Sequence, residues 1–328
     1  MALREIQRRV EWVLVSNKWT RISIMGTNLS ERNLKVDNLG DEEDRSIILL
    51  IPGNPGNEAF YSDFAERTLK ELLAREERMA SHKQQYLIFT VSHLNHVSMP
   101  VELKHSGQHK FNDRLTLTDQ IQHKLDFVKQ YLPRGARVHM FGHSIGSYML
   151  LKILPYIKED FNLKKVVCLF PTVERMALSP NGVRLRKILS TLNANDWLAK
   201  ALSFWLDVLP LSLKRYLVSW NLSGNNIPES IIHTSTELLY MNVFRNIVHM
   251  SDDELENVNE FDENLLIHKD IIYFYYGVTD GWCPIDYAYD MEKRVDKGHV
   301  IIDDEKCEHA FVIRDGQAMA KKMLTFIN

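Results

Sequence analysis

The sequence predicts an α/β protein: a mostly parallel central sheet, helices on both faces, and a helical insertion near its middle. Three observations predict it. Short apolar, β-rich runs alternate with helical patterns along most of the chain, as they do in a parallel sheet covered on both faces. The alternation stops after Pro171 and resumes at Asp270, so residues 172–265 read as one insertion between core segments 1–171 and 266–328. Finally, 142-GHSIG-146 sets one serine between two glycines directly after an apolar run. Glycine is a poor choice inside a strand or helix, so something overrides local preference there.

The elements follow in order. Glu11–Val15 and Arg21–Met25 read as an opening hairpin, and the apolar run 47–51, ending at Pro52-Gly53, as a buried central strand. A helical pattern runs from Phe60 to about Arg78, followed by a strand at Tyr86–Val91 and a polar loop rich in histidine. A helix is expected from Thr118 to Tyr131, capped by Thr118 or Asp119. Arg137–Phe141 is a strand, Ser147–Ile157 a helix and Lys165–Phe170 a strand. After the insertion come strands at Asp270–Tyr276 and His299–Asp303, with helices near Tyr287–Arg294 and from Gly316 to Phe326. An insertion at that point would sit above the carboxyl ends of the strands, where open α/β sheets bind ligands.

Composition narrows the function. The 328 residues are 45% apolar, enough for a substantial core. A net charge of −3 argues against nucleic acid as a partner. Cys168, Cys283 and Cys307 are odd in number with no C-x-x-C pair, which suits reduced, buried thiols of an intracellular protein. No run of eighteen apolar residues and no apolar stretch behind the basic N-terminus occurs, so neither a transmembrane span nor a signal peptide is expected. The acidic clusters at Asp41–Asp44 and Asp252–Glu263 read as solvated loops or helix faces.

Gly142-His143-Ser144-Ile145-Gly146 fits G-x-S-x-G between a strand and a helix, the context of a nucleophile elbow. So sharp a turn holds the serine in a sparsely populated conformation at a cost of about 1–3 kcal/mol. Glycine flanks it because a side chain there would strike neighbouring backbone. The hydroxyl stands at a helix start, where the Ile145 N–H and the helix dipole favour an oxyanion. A serine needs a base, and the base an orienting carboxylate. Asp280, in 276-YGVTDGWCP-284, and His309, in 306-KCEHAF-311, follow in the expected chain order, each just past a strand. Asp280 also reads as a turn residue capping the helix after Pro284. His143 reads as packing or polar support. In 51-IPGNPG-56, Pro52 and Pro55 lack an N–H, so Asn54 is the expected second oxyanion donor. His93-x-x-His96 and His105-x-x-x-His109 lack cysteines or carboxylates at ligand spacing, and no metal site is expected. No Walker loop or G-x-G-x-x-G occurs, and no cofactor is expected.

The chain resembles the lipid droplet-associated hydrolase family. The resemblance rests on 51-IPGNPG-56 with Phe60-Tyr61 and Phe64, on 142-GHSIGSY-148, 170-FPTVERMALSPNG-182, 275-YYGVTDGWCP-284 and 309-HAF-311. It implies an α/β-hydrolase fold, a Ser144–Asp280–His309 triad and esterase action on stored neutral lipid, including sterol esters and acylglycerols. It also implies residence at lipid droplets and the endoplasmic reticulum, on the cytoplasmic side. The first forty residues and the stretch from Gly224 to about Leu265 carry little of it.

The sequence holds its own hint of a lipid surface. Trp197, Leu198, Ala201, Leu202, Trp205, Val208 and Leu209 form a helical apolar stripe, with Lys200, Ser203 and Asp207 on the other side. From Arg184 to Trp220 six basic residues face two acidic ones. Such a stripe can lie in a lipid interface, pack down as a lid over the acyl pocket, or do both as a lid opens. A serine esterase therefore competes with two other readings: a droplet-surface protein acting by binding lipid or partners, and a soluble esterase for small substrates. Protein partners and acyl-chain preference are not legible.

Overall fold

The structure, a computed structural model, describes residues 5–27, 29, 45–79, 84–104, 113–222 and 227–327. Asp41–Asp44, His105, His109 and the side chain of Leu202 lie outside this description. The hairpin β1 (Ile6–Val15) and β2 (Lys18–Thr27) opens the chain. Then come β3 (Arg45–Ile51), a 3-10 turn at Glu58–Tyr61, α1 (Ser62–Met79), β4 (Gln85–Val91), α2 (Val101–Lys104) and α3 (Leu117–Tyr131). The centre holds β5 (Arg137–His143), α4 (Ile145–Ile153) and β6 (Asn162–Leu169). Five helices follow without a strand: α5 (Pro180–Ala194), α6 (Asp196–Val208), α7 (Leu211–Asn221), α8 (Glu229–Glu237) and α9 (Met241–Asn257). The chain returns through β7 (Ile272–Tyr276), α10 (Ile285–Glu292), β8 (Val300–Ile302), α11 (Phe311–Arg314) and α12 (Gly316–Met323).

The eight strands form one sheet in the order β1-β2-β4-β3-β5-β6-β7-β8. β2 runs antiparallel to β1 and β4, and every other pair is parallel. All seven residues of β3 are buried, as a strand covered on both faces must be. Register sets the functional rim: Ile51 pairs with Gly142 and His143 with Leu169, so the loops after β3, β5 and β6 leave the sheet at one level. The three cysteines are unpaired and buried.

Three local expectations need correction. The acidic stretch Asp252–Glu263 is not solvated throughout, since Asp252 and Glu254 on α9 are buried. The cap of α3 is Thr116: its hydroxyl accepts the Asp119 N–H while the Asp119 carboxylate accepts the Thr116 N–H. Asp119 is thus the third helical residue of a capping box, one turn inside the start. In α6 the inner face is Ala199, Ser203 and Leu206, whereas Trp197 (70%), Phe204 (62%) and Val208 (73%) face outward. Ser203, expected on the polar side, is buried and donates its hydroxyl to the Ala199 carbonyl at 2.6 Å, which removes the cost of burying it. α7 is likewise turned out: Leu211, Leu213, Tyr216 and Trp220 are exposed, while Lys214 is buried with Nζ 3.5 Å from the centroid of the Tyr240 ring.

Candidate active site

Ser144 directly follows β5 and caps α4 with φ 54° and ψ −124°. Its N–H donates to the Leu169 carbonyl at 2.9 Å, and its carbonyl accepts the Ser147 N–H at 2.9 Å, so backbone on both sides holds the turn. A Cβ on Gly142 would lie 2.6 Å from the Gly146 carbonyl oxygen, and one on Gly146 2.3 Å from that of Ile51. Neither position admits a side chain without moving main chain.

His309 Nε2 lies 2.9 Å from Ser144 Oγ, and its Nδ1 lies 2.6 Å from Asp280 Oδ2. A carboxylate only accepts, so Nδ1 carries the proton and Nε2 is free to accept the serine hydroxyl. Asp280 does fill the turn role anticipated for it: Oδ1 accepts the N–H groups of Trp282 (2.7 Å) and Cys283 (3.1 Å). Those bonds aim Oδ2 at the imidazole, where the Cys283 thiol also donates at 3.1 Å. Burial alone would push the Asp280 carboxyl up. The His309 hydrogen bond and charge, with the thiol and backbone donors, outweigh it and hold the group below the usual carboxylate range. Asp280, Cys283 and His309 are also, among the described residues, the one cluster of potential metal ligands. Their bonds to each other and to Ser144 already account for them.

The loop after β3 meets the elbow directly: a Cβ on Gly53 would fall 2.8 Å from Ser144 Cβ. Gly53 donates its N–H to the Tyr61 hydroxyl at 2.9 Å, and Gly56 donates to the Gly53 carbonyl at 2.6 Å. The N–H groups of Asn54 and Ile145 have no protein acceptor among the described residues. The Asn54 side chain reaches α9, where Nδ2 donates to the Ile247 carbonyl (3.2 Å), Ser251 Oγ (2.8 Å) and Glu254 Oε1 (3.2 Å). His93 and His96 back this loop from inside the core. The His93 N–H donates to the Gly56 carbonyl at 2.7 Å, and His96 Nδ1 donates to that of Pro55 at 2.9 Å.

The string 170–182 has a structural account that its sequence did not offer. Phe170 takes φ 46°, donates its N–H to the Tyr275 carbonyl at 2.7 Å, and stacks on Phe311 beside His309. Buried Glu174 takes the Arg294 guanidinium at 3.0 Å, and Arg175 lies 4.0 Å over the Tyr287 ring while bonding Asp290. Ser179 caps α5, and the Asn181 N–H donates to the Gly281 carbonyl at 2.9 Å. The string thus ties the end of β6 to α10 and to the turn that carries Asp280.

Two residues at the site have roles that the sequence reading did not assign. Asp303, just after β8, accepts the Tyr275 hydroxyl (2.5 Å) and the Cys307 N–H (2.7 Å), anchoring the loop that carries His309. An acid directly after a strand was the available signal. Tyr61 is buried against His143, and its place beside the IPGNPG loop was the only hint.

Comparison with known proteins gives the arrangement a lineage. The family model described as "Lipid-droplet associated hydrolase" matches residues 44–312. The lipid droplet-associated hydrolase of Drosophila melanogaster is 31% identical over 280 residues, covering 84% of this chain and 87% of that protein. The Mus musculus protein of the same name is 29% identical over 337 residues, covering 99% and 96%. Among solved structures, an α/β hydrolase fold protein from Burkholderia ambifaria superposes with a TM-score of 0.52 at 12% identity, covering 97% of this chain and all of that one. The fold is therefore that of the α/β hydrolases.

Proposed function

The chain belongs to the lipid droplet-associated hydrolase family, and from that premise we propose that it is a serine hydrolase cleaving carboxylic esters of neutral lipid, sterol esters or acylglycerols, at the droplet surface. The observation that carries this reading is the continuous Ser144–His309–Asp280 hydrogen-bond chain at the strand rim. Ser144 Oγ attacks the ester carbonyl as His309 Nε2 takes its proton, and Asp280 stabilises the imidazolium and holds its orientation. The N–H groups of Ile145 and Asn54 receive the negative oxygen of the tetrahedral intermediate. The choice of Asn54 rests on elimination, since Pro52 and Pro55 have no N–H and those of Gly53 and Gly56 are engaged. His309 then protonates the departing alcohol, and water, activated by the same imidazole, releases the acid.

Residues 172–265 act in this reading as a cap over the core segments 1–171 and 266–328. The exposed apolar side chains of α6 and α7 are the lipid-facing part of that cap, with Trp197, Phe204, Trp205 and Trp220 outermost and Leu198 and Leu209 half-buried behind them. In this reading that apolar side lies in the interface of a droplet or of the cytoplasmic face of the endoplasmic reticulum; no helix among the described residues is long and apolar enough to cross a membrane. A cavity of about 370 Å³ between α6, α7 and α8, walled by Leu206, Val218, Leu222 and Leu238, offers room for an apolar chain. The outward-facing apolar side of the cap, taken alone, favours a second reading: a surface protein acting by lipid or partner binding.

Labelling with a fluorophosphonate decides between them. Wild type should react and Ser144→Ala should not, and the labelled protein should hydrolyse a sterol ester or acylglycerol from an ester panel. Folded wild type that stays unlabelled beside a reactive control hydrolase would leave only the surface-binding role.

A further inference from the structure

The elbow residue next to the nucleophile, His143, makes two hydrogen bonds that leave it no freedom of polarity. Its Nε2 lies 2.8 Å from the backbone carbonyl of His309, which can only accept, so Nε2 carries the proton. Nδ1 must then accept, and the Tyr61 hydroxyl 2.6 Å away must donate to it. The Tyr61 oxygen in turn accepts the Gly53 N–H at 2.9 Å. The result is one directed chain from Gly53 through Tyr61 and His143 to the main chain of His309, with both rings buried. Burial, and next the neighbouring His309, drive the His143 imidazole down to about 3, so it stays neutral and the chain keeps its direction across any working pH.

The two ends of this chain lie on loops that secondary structure does not hold. Gly53 precedes the Asn54 N–H, in a loop between β3 and the 3-10 turn. His309 sits on a loop between β8 and α11. Asp280 and Ser144 fix the tip of the imidazole, but among the described residues it is His143 that grips its backbone.

We propose that Tyr61 and His143 form a positioning strut that sets the distance between the oxyanion donor of the 52–56 loop and the imidazole base, and so governs turnover in preference to substrate binding. This rests on the serine-hydrolase reading above. The residues touch no reacting atom. They act through Gly53 and His309, where a displacement of about 1 Å is enough to lower a rate about 10²-fold.

The test uses the full chain and four variants: Tyr61→Phe, which removes one hydroxyl; His143→Leu, which removes both ring bonds at similar volume; the double variant; and His143→Gln, whose amide can donate and accept in the same places. Fluorophosphonate labelling rates and the kcat and KM for a soluble p-nitrophenyl ester are measured with melting temperature. Tyr61→Phe and His143→Leu should each lower kcat and labelling about 10–100-fold, with KM within about threefold of wild type. Because one strut is cut either way, the double variant should lose no more than about threefold beyond the worse single one. His143→Gln should recover at least about tenfold over His143→Leu, and if the leucine variant fails to fold, Tyr61→Phe and His143→Gln still carry the comparison. Wild-type kcat in folded Tyr61→Phe, or losses that multiply in the double variant, would overturn the strut while leaving the hydrolase reading intact. Wild type that never labels would instead remove the hydrolase reading and the strut with it.

Discussion

Ser144 occupies a backbone conformation that non-glycine residues avoid, at φ 54°, and it stays there because the Leu169 carbonyl of β6 holds its N–H while main chain at the end of β3 and in α4 closes on the two flanking glycines. The strain presents the hydroxyl to His309, and Asp280 makes that contact useful by fixing which nitrogen carries the proton. Asp280→Asn should therefore keep the fold yet lower kcat about 10³–10⁴-fold on a soluble ester, because an amide can present N–H to Nδ1 and favour the wrong tautomer. The same carboxylate leaves a mark on acid stability. Its folded value lies below its unfolded one, so its contribution is present above the usual carboxylate range and is lost as pH falls through the depressed value. Each of these residues was legible singly in the sequence, since each follows an apolar run. Tyr61 was not, because a tyrosine at the start of a helix looks the same whether it packs or bonds a histidine 82 positions away.

At the scale of elements, α9 is one of the helices by which the inserted segment grips the core. The Asn54 amide binds three acceptors on it, and one of them, Glu254, is fully buried. Burial pushes the Glu254 carboxyl up to about 8 despite the Asn54 hydrogen bond. A raised acid contributes its stability below its unfolded value, near 4.3, and loses it as pH climbs toward the folded one. Glu254→Gln, neutral at every pH, should melt about 5 °C above wild type at pH 8 and close to it at pH 5, as read by thermal unfolding across that range. An unchanged difference between the two pH values would remove Glu254 as the titrating group. The periodicity of 197–209 did locate the helix that became α6, but not which side of it packs. The apolar stripe could face lipid or pack down as a lid, and the small Ala199 and Ser203, which admit close packing, occupy the face that is buried.

At the scale of the whole molecule, a mostly parallel sheet gathers the ends of six parallel strands on one rim, and α6 and α7, inserted after β6, turn Trp197, Phe204, Tyr216 and Trp220 outward. A triple variant, Trp197→Ser, Phe204→Ser and Trp220→Ser, should float with artificial lipid droplets at least about tenfold less, since each side chain contributes about 1.5–3 kcal/mol on full burial. Its kcat on a dissolved short-chain ester should stay within about threefold of wild type. Equal loss of both would mean that these residues support the fold and not the surface. By itself the sequence determined the alternation of strands and helices and the sharp glycine-flanked turn between a strand and a helix, because these are local signals written in periodicity and in where glycine is tolerated. Only the tertiary structure decided which face of α6 is buried, that the 170–182 string braces the acid turn, and that Tyr61 reaches His143 while Asn54 reaches Glu254. Those are contacts between residues far apart in sequence, and hydrogen-bond partners across such separations are chosen by strand register and helix packing, which no window of the chain contains.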